Sequence, residues 1–171
     1  ARLTAVATEE LTRFSLDLAA LRVTRVQVDG AEAKRTHGSG KLTLTPRNTI
    51  AAGAEFSVLV RYSGAPRPVR SPWGEIGWEE LEDGVIVASQ PCGASSWFPC
   101  NDHPSDKSSY RISVTASSAY TVVAPGELVS RVARASRTTW VYEQPEPMAA
   151  YLATVQIGRY QRLAVSARGA T

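Results

Sequence analysis

The amino-acid sequence predicts an all-β protein, an antiparallel and saddle-like β-sandwich with little or no helix. Apolar and polar residues alternate with a period of two through much of the 171-residue chain, as in half-buried strands. Glycine and proline turns recur at intervals of about 8–16 residues, and no segment has the apolar spacing of an amphipathic helix longer than a turn or two. These observations favour strands joined by hairpins over strands that alternate with helices.

The predicted strands share this alternation and are bounded by residues that favour turns. They cover residues 14–18, 26–28, 42–44, 56–62, 112–114 and 140–142. The turns between them contain Asp29-Gly30, Gly38-Ser39-Gly40, Pro46-Arg47-Asn48, Gly64-Ala65-Pro66 and Pro125-Gly126. Residues 66–78, with three prolines and two tryptophans, break the pattern and are interpreted as a long covering loop.

Composition places the chain among ordinary globular proteins. Hydrophobic residues make up 43% and charged residues 20%, and the formal net charge of +3 comes from scattered cations that indicate a solvated surface, which argues against nucleic-acid binding. No apolar run is long enough to span a bilayer and no signal peptide is visible, so we expect a cytoplasmic protein. Met148 is the only methionine, so we expect the chain to be an excised piece, with residues 1–171 forming one β domain and a soft sub-boundary near residue 65.

The segment 90–107 concentrates the reactive side chains of the sequence. A zinc site is conceivable from its thiols, imidazole and carboxylate, which belong to Cys92, Cys100, Asp102 and His103. Their spacing matches no standard structural zinc site, and the chain lacks a His-Glu-x-x-His motif. The two cysteines can either pair or remain small, partly buried thiols.

A nucleophilic site is the second chemical interpretation of this segment. Ser95 or Ser96 would act with His103 and Asp102, but nothing resembles a Gly-x-Ser-x-Gly elbow. A structural interpretation is favoured instead. Asp102 would accept backbone N–H groups and Pro104 would fix the exit of the turn, while an aromatic plug would anchor the loop to the core, formed by Trp97, Phe98 and Pro99.

Three short motifs resemble those of the aminopeptidase N family of zinc metallopeptidases. The first is that family's Phe-Pro-Cys-x-Asp-x-Pro-x-x-Lys pattern, met here by Phe98, Pro99, Cys100, Asp102, Pro104 and Lys107. The second is its Pro-Met-x-x-Tyr-Leu segment, met by Pro147, Met148, Tyr151 and Leu152. Gly126-Glu127-Leu128 is similar to its Asn-Gly-x-Leu turn, with Pro125 in place of the asparagine. The resemblance runs from about residue 74 to residue 168.

The resemblance implies that the chain is the N-terminal, substrate-gating β domain of a zinc aminopeptidase that removes N-terminal residues from peptides. Its partners would be the N-terminus of a peptide substrate and the enzyme's own catalytic domain. Zinc would be bound by that catalytic domain and not by this chain, which alone would be inactive.

The resemblance also implies one substrate-binding residue. The family's N-terminal domain supplies a Gln or Glu that contacts the substrate's free α-amino group, eight residues before the Phe of the first motif, which is Gln90 here. The competing interpretation is a loop glutamine that caps a strand end. The chain departs from the family at Pro91 and Gly93, and it has Ala94-Ser95 where many members have Ala-Arg.

A different class of function stays open from the residues alone. A free-standing β-sandwich could bind carbohydrate or protein through an exposed aromatic platform of Trp73, Trp78 and Trp97.

Overall fold

The computed structural model describes residues 1–161, and within them the regular secondary structure is almost entirely strand. The strands are β1 Arg2–Val6, β2 Phe14–Asp17, β3 Arg22–Val28, β4 Ala31–Glu32, β5 Lys34–Gly38, β6 Lys41–Thr45, β7 Glu55–Ser63, β8 Val69–Ser71, β9 Gly74–Leu81, β10 Gly84–Ala88, β11 Lys107–Ser117, β12 Thr121–Val123, β13 Glu127–Arg134, β14 Arg137–Ala149 and β15 Gln156–Gly158. Two single 3₁₀ turns, Ala94–Ser96 and Ala150–Leu152, are the only helical segments described. The predicted all-β class is confirmed.

The strands form four antiparallel sheets. Two of them come from the first third of the chain, in the orders β1-β7-β3-β4 and β2-β6-β5. The other two come from the rest of the chain, in the orders β12-β15-β10-β9-β8 and β11-β14-β13. Most neighbours along the chain are joined by short turns, as the spacing of glycine and proline predicts.

The first two sheets enclose one hydrophobic core. Along β7, the side chains of Phe56, Val58 and Val60 are buried, while the intervening side chains are more exposed. Leu42 and Leu44 of β6 pack into the same core from the second sheet. The period-two pattern therefore places one face of β6 and one face of β7 in the core between the two sheets.

The last two sheets enclose a second core. Its buried members include Val87 of β10, Ile112 of β11, and Trp140 and Tyr142 of β14. Trp78 and Trp97 pack against this core from its side. A third, smaller cluster joins Ala94, Cys100 and Ala150, with Phe98 against it, and so links both 3₁₀ turns.

The interpretation of residues 66–78 as a covering loop is wrong. The chain forms a hairpin here, in which β8 pairs with the start of β9, from Val69 opposite Ile76 to Ser71 opposite Gly74. The prolines suggested a loop, but Pro72 lies in the turn of the hairpin, outside both strands, where it removes no ladder hydrogen bond.

The first core is formed by residues before the connection between β7 and β8, and the second core by residues after it. Backbone hydrogen bonds join these two parts of the chain. Asp17 exchanges two such bonds with Cys100, and the Ala19 N–H donates to the Ser95 carbonyl at 2.8 Å. The sub-boundary near residue 65 therefore stays a prediction. No helix within residues 1–161 is long and apolar enough to cross a membrane.

Candidate functional site

The segment after β10, residues 89–106, is held in shape by the carboxylate of Asp102. The Asp102 Oδ2 atom accepts hydrogen bonds from the backbone N–H groups of Gly93, at 2.9 Å, and Ser95, at 3.2 Å. Because Gly93 is buried and Ser95 is half-buried, these donors have little access to water and depend on this acceptor. Asp102 therefore connects the end of the segment to its middle, and this structural role is called the Asp102 bracket below.

Asp17, at the end of β2, fastens this segment to the first two sheets. Its backbone N–H donates to the Cys100 carbonyl at 2.7 Å, and the Cys100 N–H donates back to the Asp17 carbonyl at 3.1 Å. Its side-chain Oδ2 accepts the backbone N–H of Asp102 at 3.1 Å, and its Oδ1 pairs with the Lys41 ammonium at 2.5 Å. The position of the segment is thus set by a residue 85 positions earlier in the chain.

The segment also lies tightly against β9, and Gly77 makes this approach possible. Gly77 has a φ of +108°, and a Cβ atom added to it would be 2.4 Å from the Ser96 Oγ atom. The Ser96 hydroxyl accepts the backbone N–H of Trp78 at 3.0 Å. A glycine is required here because both its backbone conformation and the available space exclude a side chain.

The predicted aromatic plug lies between this segment and the second core. Trp97 and Phe98 are half-buried and meet edge-on with ring centroids 4.6 Å apart, while Pro99 is fully buried. Phe98 also contacts Tyr110 of β11 edge-on at 6.3 Å. Such edge contacts add to the burial of the rings and keep the segment from moving as a free loop.

The tryptophans of the alternative binding module do not form one exposed platform. Trp78 and Trp97 lie 6.3 Å apart, and both are half-buried against the second core. Only Trp73 of the three is exposed, at the tip of the β8–β9 hairpin.

Gln90 is the exposed residue at which β10 leaves its sheet. Gln90 lies two positions after the end of β10 and directly follows the buried Ser89. A cis peptide bond joins it to Pro91. Its carboxamide faces solvent on a turn whose far side, at Gly93, is fixed by Asp102. The arrangement presents a neutral hydrogen-bond donor and acceptor on a rigid support.

The remaining motif residues lie along β11, β14 and the second 3₁₀ turn. Pro104 is exposed in the turn before β11, and Lys107, also exposed, begins that strand opposite Ala149. Met148 is half-buried opposite Ser108. Pro147 is exposed near the end of β14 and Tyr151 is half-buried in the second 3₁₀ turn.

The reactive groups of the segment do not assemble into a metal site. Within residues 1–161, no group of three or more His, Cys, Asp or Glu side chains could hold a metal ion. Cys92 and Cys100 are both free thiols, so the open question of their pairing is answered in favour of thiols. The ligands described here therefore do not fit zinc, which needs about four ligands at one point.

The geometry does not support nucleophilic chemistry either. The His103 ring is exposed, and its Nδ1 atom lies 2.7 Å from the Ser105 hydroxyl, whereas the Ser96 hydroxyl is occupied by the Trp78 N–H. Burial raises the pKa of the Cys100 thiol, and the Asp102 carboxylate raises it further. Burial also raises the pKa of the Cys92 thiol, so neither sulfur is poised as a thiolate nucleophile.

Sequence reasoning missed three residues that shape this region. Asp17 carried no local signal because its partners are distant in sequence. Ser96 was considered only as a nucleophile, although its hydroxyl is a backbone acceptor. The prolines around Trp73 suggest a loop, yet the Pro-Trp-Gly sequence between two alternating stretches is a usable hairpin signal.

Comparison with known proteins finds a family match in the second part of the chain. Residues 76–152 match the peptidase M1 N-terminal domain. A crystal structure of a two-domain M1 zinc metallopeptidase mutant bound to L-arginine is 27% identical, with a TM-score of 0.87, over 92% of this chain and 37% of that chain. No curated protein sequence matches the chain.

Two crystal structures of an M1 zinc metallopeptidase from Deinococcus radiodurans agree with that result. One matches at 27% identity with a TM-score of 0.86, over 92% of this chain and 36% of that chain. The other is a mutant bound to a Tyr-Ser-Ala substrate, at 27% identity and a TM-score of 0.85 over the same shares. This chain therefore spans little more than a third of these structures, and its resemblance to the N-terminal β domain of M1 zinc metallopeptidases is confirmed.

Proposed function

We propose that residues 1–171 are the N-terminal, substrate-gating β domain of a zinc aminopeptidase, and that Gln90 binds the free α-amino group of the peptide substrate. The observation that carries the proposal is the exposed Gln90 carboxamide on a turn fixed by Asp102, in a chain whose residues 76–152 match the peptidase M1 N-terminal domain. The substrate class is supported by the Tyr-Ser-Ala substrate bound to one structural relative.

The chemistry of a glutamine suits this task. Its carboxamide oxygen accepts a hydrogen bond from an ammonium group without carrying a charge of its own. Hydrogen bonds that involve a charged partner contribute about 1.5–3 kcal/mol. A peptide held by its N-terminal ammonium is cleaved only at its first bond, so such a contact favours removal of single residues over cleavage within the peptide.

Catalysis in the intact enzyme would depend on a separate domain. Zinc and the hydrolytic groups are assigned to a separate catalytic domain because the structural relatives are M1 zinc metallopeptidases, of which this chain covers 36–37%. The contribution of this domain is to bind and orient the peptide N-terminus, and the chain alone is expected to hydrolyse nothing.

The test compares Gln90→Ala with Gln27→Ala in the intact enzyme, using an aminoacyl-anilide substrate. Gln27 is the matched control, because its amide belongs to β3 in the first core region and donates to the Gly30 carbonyl. We expect Gln90→Ala to lower kcat/KM by about 10- to 150-fold, the equivalent of 1.5–3 kcal/mol, while Gln27→Ala leaves it unchanged.

Folding provides the second measurement. Because Gln90 is exposed, Gln90→Ala should change the free energy of unfolding by no more than about 0.5 kcal/mol. An unchanged kcat/KM would refute the amino-group contact, and a large loss of stability would assign Gln90 a structural role instead.

A further inference from the structure

The tip of the β8–β9 hairpin is a rigid structure that displays one tryptophan. The Ser71 hydroxyl donates to the Gly74 carbonyl at 2.8 Å and accepts the backbone N–H of Trp73 at 3.1 Å. Trp73 itself is 68% exposed, the largest exposure of any large hydrophobic side chain in residues 1–161, where Val6 follows at 60%. The hairpin therefore holds a broad apolar ring in water although its backbone is fixed.

This tip lies at the same end of the sheet as Gln90. The ladder between β9 and β10 ends with Ala88 opposite Gly77, after which β10 continues towards Gln90 and β9 runs back to Gly74. Gln90 comes two residues after Ala88, and Trp73 comes four residues before Gly77, in the turn of the β8–β9 hairpin. The two residues are on neighbouring chain segments at one edge of the sheet.

The turn that carries Gln90 is packed directly against the base of this hairpin. A Cβ atom added to Gly93 would lie 3.2 Å from the Ile76 Cγ1 atom and 3.3 Å from the Gly77 nitrogen. Residues 89–93 therefore rest on β9 only three positions from Trp73. The separation of Gln90 and Trp73 is fixed by this packing and by the short hairpin, not by a long flexible connection.

We propose that Trp73 contacts the side chain of the first residue of the peptide substrate and favours peptides that begin with a large apolar residue. This inference rests on the proposed function, because it takes Gln90 as the group that holds the α-ammonium. Gln90 and Trp73 follow the same end of the β9–β10 ladder on adjacent chain segments, so one peptide residue could present its ammonium to Gln90 and its side chain to Trp73. A rigid indole ring offers a large apolar contact with little loss of side-chain entropy.

The size of the expected preference follows from apolar contacts in other binding pockets. In an enclosed apolar pocket, adding or removing one methylene group of the substrate changes kcat/KM by about 10- to 200-fold. Trp73 would form one wall and not an enclosure, so we expect an effect near or just below the lower end of that range. Removal of the ring should therefore weaken the use of bulky substrates by about 5- to 20-fold.

The experiment measures kcat/KM of the intact enzyme for leucine, phenylalanine and alanine anilides. Trp73→Ala should lower the value for the two bulky substrates by about 5- to 20-fold and that for alanine anilide by less than about twofold. Trp73→Phe should retain most of the preference. Leu81→Ala is the matched control, because Leu81 is an exposed apolar residue, 41% accessible, at the opposite end of β9, and it should leave all three values unchanged.

The outcomes separate the two proposals. An active enzyme whose Trp73→Ala variant loses activity equally on all three substrates, or on none, overturns the specificity assignment alone. An equal loss would indicate that the ring packs against the remainder of the protein. An intact protein without aminopeptidase activity overturns the proposed function, and with it this inference.

Discussion

Replacement of Asp102 by alanine tests the argument that the reactive-looking segment after β10 is a structural bracket. The substitution removes the acceptor for the N–H groups of Gly93 and Ser95, which are 2.9 and 3.2 Å from the Oδ2 atom. Each hydrogen bond to a charged group contributes about 1.5–3 kcal/mol, so their loss costs about 3–6 kcal/mol. A second effect opposes this cost. The buried Oδ1 atom has no hydrogen-bond partner within the described residues, so its removal is stabilising.

The balance of the two effects sets the expected magnitude. Removal of an unsatisfied buried oxygen offsets about 1–3 kcal/mol, so we expect a net loss of about 2–3 kcal/mol in the free energy of unfolding. For a chain of this length each kcal/mol lowers Tm by about 2–4 °C, which gives a decrease of about 5–10 °C. The free energy lost with the two hydrogen bonds exceeds the free energy gained by removing the unpaired Oδ1 atom, because two N–H donors lose their acceptor and only one unsatisfied atom is removed.

The assay is thermal and urea denaturation of the 171-residue chain. Asp106→Ala is the control, since Asp106 is an exposed carboxylate of the same segment, and it should shift the free energy of unfolding by less than about 0.5 kcal/mol. Asp102→Asn should be milder than Asp102→Ala, because an amide oxygen can still accept the two N–H groups. A Tm for Asp102→Ala within 1 °C of the parent, which corresponds to about 0.5 kcal/mol at most, or equal to that of Asp106→Ala, would refute the structural role of Asp102.

Two further outcomes follow from the packing and from burial. Gly77→Ala should lower the free energy of unfolding by more than about 2 kcal/mol in urea denaturation, because the new Cβ atom would meet Ser96. Gly40→Ala is the control, since Gly40 also has a positive φ but nothing lies within 4 Å of an added Cβ atom. It should lower the free energy of unfolding by only about 1–2 kcal/mol. Burial raises the pKa values of Tyr62 and Tyr110 to about 12, so an ultraviolet titration should show both phenols protonated at pH 10. Because the folded-state pKa is raised, their contribution to stability is complete below the unfolded value near 10 and is lost as the pH rises towards 12; ionisation of either phenol near pH 10 in the folded chain would contradict this.

The sequence predicted the regular part of the fold because one local rule governs it. Alternation along β7 places Phe56, Val58 and Val60 on one face, and burial of that face needs no knowledge of the rest of the chain. The hairpin around Trp73 was missed because its prolines, counted together, resemble a loop, and only their positions relative to the turn distinguish the two.

The local contacts of the candidate site could be predicted from the sequence, but the contacts that join it to the first core could not. The sequence indicated that Asp102 would accept backbone groups, and the acceptors and donors lie within ten residues of one another. The contact with Asp17 could not be predicted, since it joins residues 85 positions apart and depends on how the two cores meet. The role of Gln90 stays a prediction that came from resemblance, because an exposed glutamine carries no distinguishing local signal.

The chemistry of the segment after β10 is explained by what its polar groups already do. Ser96 accepts a β9 N–H, Asp102 closes the turn, and His103 is bonded to Ser105, so each of the three already has a partner within the segment or on β9. A residue that recognises a substrate must be held in place before the substrate arrives, because ordering it on binding would weaken affinity. Polar groups that are committed to backbone contacts supply that order. Asp102, which suggests an active site in the sequence, is therefore a residue that holds the turn after Gln90 in place.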